Sequence, residues 1–349
     1  MKTKFSFMLA IFLLAFLNSC NSNEDENLQN KYISPIELAN SLKTEAKQLK
    51  ETIDKIDKSL KNFDKLFESQ LEYLNCFKVN LENFEELIAN SDQDILVLEA
   101  KFSVVKRGVD AFIEENKIFP EDLNITHENI QNIKAEDSLN QLEVFKKGKY
   151  KIVAGSINIS KYNSKSIDFL KSINFIGKNL IINDNPNLSN LKGLENVSLI
   201  GGRLNIYENP SLSLLDGLEK LNSVRREVII GSNPVLLNFD GLRNLSSIGT
   251  ALIIGLNPAL PNIDGLSKLT SVGGLLYIDS NATLSNLEGL RNLTLVSGNL
   301  YINNNPVLSS FCGLQPLLKD SDFKGDYHSV DKNGYNPTKQ NIIDGNCKE

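Results

Sequence analysis

Tryptophan is absent from this chain of 349 residues, and histidine occurs only twice, as His127 and His328, far apart and away from any cysteine pair. A His/Cys metal centre therefore lacks ligands, and a Ser-His-Asp set has no base beside a nucleophile. Lys and Arg form no block within a net charge of -6, so the electrostatic footprint of a nucleic-acid binder is missing. No apolar run reaches the roughly 20 residues that carry a helix across a bilayer; the longest, Phe5 to Leu17, is too short. Glycine and proline are missing from Ile36 to Asn90, which removes the usual helix breakers there. With no phosphate-binding loop either, neither a metal nor a cofactor is expected.

What is present starts with a targeting signal. Lys2 and Lys4 precede the apolar run, which ends at Leu17-Asn18-Ser19-Cys20. This order resembles the signal peptide of bacterial lipoproteins, in which the cysteine is diacylated and becomes the first residue of the mature chain. Asn18 stands where that family usually has a smaller residue. The resemblance implies loss of residues 1–19, a lipid on Cys20 and attachment to a bacterial outer membrane. The following Asn21-Ser22-Asn23-Glu24-Asp25-Glu26 resembles the export signal of surface-displayed Bacteroidota lipoproteins, within an acidic tether over 20–33.

Residues 34–148 read as a helical, coiled-coil-like segment. Ser34-Pro35-Ile36-Glu37 has the form of a capping box with proline at the first helical position. Apolar residues then recur at threes and fours, from Leu42, Ala46 and Leu49 through Leu74 to Leu81, Phe84 and Ile88, which predicts one long amphipathic helix. Asn90 to Asp94 breaks it, and Leu98, Phe102, Val105, Val109 and Phe112 predict a second helix folded back as a hairpin. The excess length of the first helix needs cover. A third short helix, within Ile125–Ile133 or Ser138–Lys147, would supply it; self-association through the segment is the alternative. Cys76 has no histidine near it and reads as a small buried apolar residue.

The second half is governed by a repeat. Asn185, Asn209, Asn233, Asn257, Asn281 and Asn305 stand 24 residues apart without an insertion, five of them followed by proline and one by Ala282. Gly-Leu returns at the same period, from Gly193-Leu194 to Gly313-Leu314. Such spacing predicts stacked coils that share one core, since a single coil cannot bury its own apolar face. In each coil a short strand such as Leu276-Tyr277-Ile278 alternates inward and outward residues. The asparagines are expected to form a ladder from coil to coil. The glycine of Gly-Leu is expected in a conformation costly for other residues, and the acidic column Asp216, Asp240, Asp264 and Glu288 before it is expected to cap a turn. Calcium on that column is a weaker alternative, lacking the dense ligand spacing of calcium repeats.

The solenoid spans 149–322, opening on an atypical coil at Lys151-Ile152-Val153 and Ile157-Asn158-Ile159, and 323–349 forms an irregular cap. Export into an oxidising compartment makes a Cys312–Cys347 disulfide plausible, worth about 3 to 4 kcal/mol through the loop it closes. The fold class is thus α+β, a helical segment followed by a parallel β solenoid. The pattern Leu-x-Ile-x-x-Asn-Pro-x-Leu followed by Gly-Leu, over about Tyr150 to Leu318, resembles the receptor L domain, the leucine-rich-repeat-like solenoid of insulin and growth-factor receptors. The chain lacks the dense cysteines of the animal receptors. The resemblance implies a right-handed solenoid with a ligand-facing sheet and names no ligand.

A function has to be written in the outward positions that vary from coil to coil. These give Tyr207, Ile229, Ile253, Tyr277, Asp279 and Tyr301 as the candidate ligand-binding residues, on a face suited to an unidentified protein or a glycan ring. Asp279 has no acidic neighbour in either outward column, which weighs against a glycan-cleaving carboxylate pair. The expected function is non-enzymatic recognition or adhesion at the cell surface; the alternatives are a structural envelope protein and, remotely, a glycan-active enzyme.

Overall fold

The computed structural model describes residues 35–62, 67–89, 95–120, 123–125, 150–320, 323, 325–328 and 332–349. Cys20, the signal and tether, the cap at Ser34, the break at Asn90 to Asp94 and most of the stretch proposed for a third short helix lie outside them. The described residues from Leu42 onward belong to one compact unit.

The long apolar stripe folds as two helices rather than one: α1 (Pro35–Lys61) and α2 (Glu68–Ala89), followed by α3 (Ile95–Glu115). No proline or glycine lies in the stripe, and the break coincides with contacts to the solenoid. The end of α1 is fixed to the rim of the solenoid, where the Ser59 hydroxyl donates to the carbonyl of Ala154 and the Asn62 amide donates to that of Gly177 at 2.9 Å. Phe67 then packs edge-on against Phe175, with ring centroids 5.4 Å apart.

The three helices cover one another's apolar edges. Phe84 stacks on Phe102 at 5.3 Å and Phe77 meets Phe112 at 6.1 Å, so α2 and α3 run antiparallel. Ile53, Ile56, Leu60, Leu74, Leu81, Phe102, Val105 and Val109 are all buried. Splitting the first helix thus provides the cover that a third helix after Pro120 was expected to give. In the same bundle Lys78 of α2 reaches Asp57 at 2.6 Å and Asp54 at 2.9 Å on α1, while Lys61 reaches Asp57 at 2.9 Å. Burial by itself would raise the Asp57 carboxyl, but the two hydrogen-bonded ammonium groups outweigh it and hold the group below its ordinary value. Cys76, expected to be buried, is exposed: it lies off the line of Leu74 and Leu81.

The solenoid has two parallel sheets. Among the described residues the first holds eight strands of two residues, from Ile118–Phe119 to Leu295–Val296, and the second nine, from Leu123–Ile125 through Leu300–Asn303 to Tyr327–His328. Both therefore begin inside the span read as helical, because α3 runs straight into the first coil. The register is one coil per step: Leu252 pairs with Val228 before it and Leu276 after it. Inward residues such as Leu276 and Ile278 are fully buried, as the alternation requires.

The asparagine ladder forms along the whole stack. Asn257 shows the pattern: its amide donates to the carbonyls of Ile230 at 3.0 Å and Gly255 at 3.1 Å and to Asn281 Oδ1 at 3.3 Å. Its own Oδ1 accepts the backbone N–H of Asn233 at 3.2 Å. All six asparagines are fully buried with their polar atoms satisfied from neighbouring coils. The ladder continues one step further than the repeat, to Asn333 in the cap, whose Oδ1 accepts the backbone N–H of Asn305 at 3.1 Å.

Three details of the coil differ from expectation. The left-handed conformation falls on the residue before each asparagine, from Asp184 (φ 55°) to Asn304 (φ 53°). The glycine of Gly-Leu has positive φ only at Gly193 and Gly217; from Gly241 onward it is required by space, since a Cβ on Gly265 would sit 2.0 Å from the carbonyl oxygen of Phe239 in the coil before. The acidic column does not cap that turn. The short helical turns that start at Asp240, Asp264 and Glu288 instead receive their caps from the asparagine two residues earlier, Asn262 Oδ1 for example accepting the N–H of Asp264 at 3.2 Å.

Cys312 and Cys347 are disulfide-bonded, with Cα atoms 4.9 Å apart. The bond ties the last regular coil to the end of the chain beside the cap helix Lys339–Ile343.

Candidate recognition face

Alternation in the second sheet sends two columns of side chains outward. Register places Asn205, Ile229, Ile253, Tyr277, Tyr301 and His328 in one column, and Tyr207, Gly231, Gly255, Asp279 and Asn303 in the other. All six candidate residues lie on this one face, and all are half-buried. The helical bundle seats on the rim of the other sheet, at Ala154, Phe175 and Gly177.

The face has two parts. In the middle, Ile229 and Ile253 stand beside Gly231 and Gly255, which bring no side chain, so bare backbone lies between the Tyr207 ring and Asp279. The Tyr207 ring leans over Gly231, where a Cβ would come within 3.0 Å of it. Beside this floor stands Leu256, 51% exposed, with φ 58°. A leucine held in the left-handed region costs about 1 kcal/mol, and the same position in other coils is Asp184, Glu208, Ser232, Ser280 or Asn304. Fold requirements do not call for an apolar residue there.

At the C-terminal end the face becomes polar and aromatic. Tyr277 and Tyr301 have ring centroids 6.3 Å apart, and His328 stacks on Tyr301 at 4.7 Å and 9°. Asp279 accepts from Ser280 Oγ at 2.7 Å on one oxygen and from Asn304 Nδ2 at 2.8 Å on the other. Burial, and then the charge of Asp279, pushes the Tyr277 phenol above its ordinary value, so it stays protonated through neutral pH. These groups, with Asn303 and Lys332, line an open concavity of about 440 Å³.

His328 and Lys332 escape a reading of the regular coils, because both sit in the cap. The signal that would have found them is Asn333-Gly334, an asparagine turn spaced 28 residues from Asn305 instead of 24. Read as a seventh rung, it implies a preceding strand, and Tyr327–His328 is that strand, paired to Leu300 and Tyr301.

No curated protein matches the chain significantly. Residues 151–261, which carry the first four asparagine turns and the bare middle of the face, match the model of the receptor L domain family, a family of non-enzymatic ligand-binding modules.

Proposed function

We propose that this chain is a lipid-anchored recognition protein of a bacterial outer surface, tethered through Cys20, that binds a protein or a glycan on the outer face of its second sheet. The observation that carries this reading is Leu256: an apolar side chain kept half in water, in a backbone conformation that penalises it, beside Ile253 and a floor of two glycines. Contiguous exposed apolar surface marks interaction sites, and Leu256 extends the paired Ile229 and Ile253. The family match to a ligand-binding module supports the same reading, and the lipobox-like sequence and acidic tether support display at the surface.

The test uses the whole chain, with Leu256→Asn and Ile253→Asn, and measures retention of ligands from the medium of living cells. Asparagine already occurs at the matching positions Asn304 and Asn205, so the fold accepts both changes. Capture that falls at least tenfold supports the reading. Equal capture by the variant would leave the apolar middle of the face without a role. Palmitate labelling of Cys20, abolished by Cys20→Ser, tests the anchor.

A further inference from the structure

The C-terminal end of the face has a chemistry different from its middle. Its lining has no aliphatic side chain: Tyr277, Asp279, Tyr301, Asn303, Asn304, His328 and Lys332. A protein epitope would be expected to centre on apolar groups, which lie elsewhere, around Ile229, Ile253 and Leu256. What the concavity offers instead is a dense set of donors and acceptors on planar groups, against aromatic rings. Asp279 is held in place through both oxygens, by Ser280 and Asn304, and retains further lone pairs to accept from a ligand. Phenol and ammonium groups supply the complementary donors.

We propose that this concavity is a saccharide subsite, in which adjacent hydroxyls of one sugar ring bond to Asp279 and Asn304 while its C–H face rests against the aromatic column of Tyr277 and Tyr301. The site is completed by the cap: His328 braces Tyr301 by stacking, and Lys332 joins the lining. The concavity, about 440 Å³, is open, so a longer chain could run off along the sheet. This inference rests on the outer face being the recognition surface, and narrows one end of it to one ligand class.

The repeat supplies variants that keep the fold. Isoleucine stands at the position of Tyr301 in three other coils and glycine at that of Asp279 in two, so Tyr301→Ile and Asp279→Gly reproduce residues the stack already carries. The whole chain is applied to an array of defined oligosaccharides spanning neutral, amino and uronic-acid sugars. Hits are then titrated while the imidazole signals are followed by NMR, where His328 is one of only two histidines. The expected result is binding of at least one sugar class, with a shift of the His328 signal and at least a tenfold loss in both variants, the scale of one charged hydrogen bond. Leu256→Asn leaves this binding unchanged. An array without signal, or binding that moves neither His328 nor the variants, overturns the subsite. Failure here with Leu256-dependent capture intact removes the saccharide and spares the recognition face; loss of both removes the face.

Discussion

The helical bundle and the solenoid bury apolar surface by opposite means. In the bundle each contact is made once: one aromatic stack of Phe84 on Phe102, one ion cluster of Asp54, Asp57 and Lys78, one anchorage at Asn62. In the solenoid each contact is made about six times, by residues that occupy equivalent places in successive coils. A unique contact can be lost only whole, whereas a repeated contact is shared with the coils on either side. Stability in the stack is therefore a matter of interfaces between neighbours, while in the bundle it is a matter of particular side chains.

Perturbations of graded size sharpen this contrast. Reducing or removing the Cys312–Cys347 bond, which closes a separation of 35 residues, should lower unfolding free energy by about 3 to 4 kcal/mol in urea titration. The loss should appear first as release of the C-terminal cap. Asn257→Ala, in the middle of the ladder, leaves the carbonyls of Ile230 and Gly255 without its donor and the N–H of Asn233 without its acceptor. About 3 kcal/mol is expected by denaturant titration, at roughly 1 kcal/mol or more for each orphaned group. A cost below 1 kcal/mol would mean that the ladder relaxes freely, against the picture of coupled coils.

Gly265→Ala forces a Cβ to within 2.0 Å of the Phe239 carbonyl and should cost about 2 kcal/mol. Gly255→Ala on the outer face meets only the Asp279 carbonyl, at 3.2 Å, and should be close to neutral in the same denaturant titration.

Lys78→Met in the bundle should cost about 2 kcal/mol by losing charged hydrogen bonds to Asp57. Because the folded Asp57 carboxyl lies below its ordinary value of 3.8, its contribution is present above that value and is lost as pH falls through it and lower. Lys78 is opposite in sign. Burial lowers its ammonium, but the Asp57 and Asp54 carboxylates overcome this and raise it above 10.5, so its contribution is complete below that value and fades as pH rises past it. A Tm profile of Lys78→Met that is flatter than the parent's at both extremes is the expected outcome.

The smallest effect is of the other sign. Leu256→Asn should stabilise the chain by up to about 1 kcal/mol, since asparagine tolerates the left-handed region, while weakening ligand capture.

The same contrast explains what could be read in advance. The 24-residue period makes the solenoid legible because every inference is tested six times within the chain. Inward Leu276 and Ile278, outward Tyr277 and the asparagine ladder all follow from it. Where the period stops, so does legibility. His328 and Asn333 belong to the stack but stand out of its spacing. The helix break near Asn62 coincides with contacts to Ala154 and Gly177, almost a hundred residues away or more, which no local pattern reports. The capping role assigned to Asp240 and Asp264 went to Asn238 and Asn262, because a short polar side chain two residues ahead reaches the first free N–H and the carboxylate does not.

The asparagine ladder also sets a rule for growth. Each rung takes its acceptor from the coil after it, and the series ends only because Asn333 supplies one from outside the repeat. A duplication or deletion of one 24-residue unit, the spacing of successive rungs, therefore hands every displaced group a replacement partner of the same kind. The molecule can thus lengthen or shorten its binding face by one row at a time, about 4.8 Å per step, with both ends unchanged.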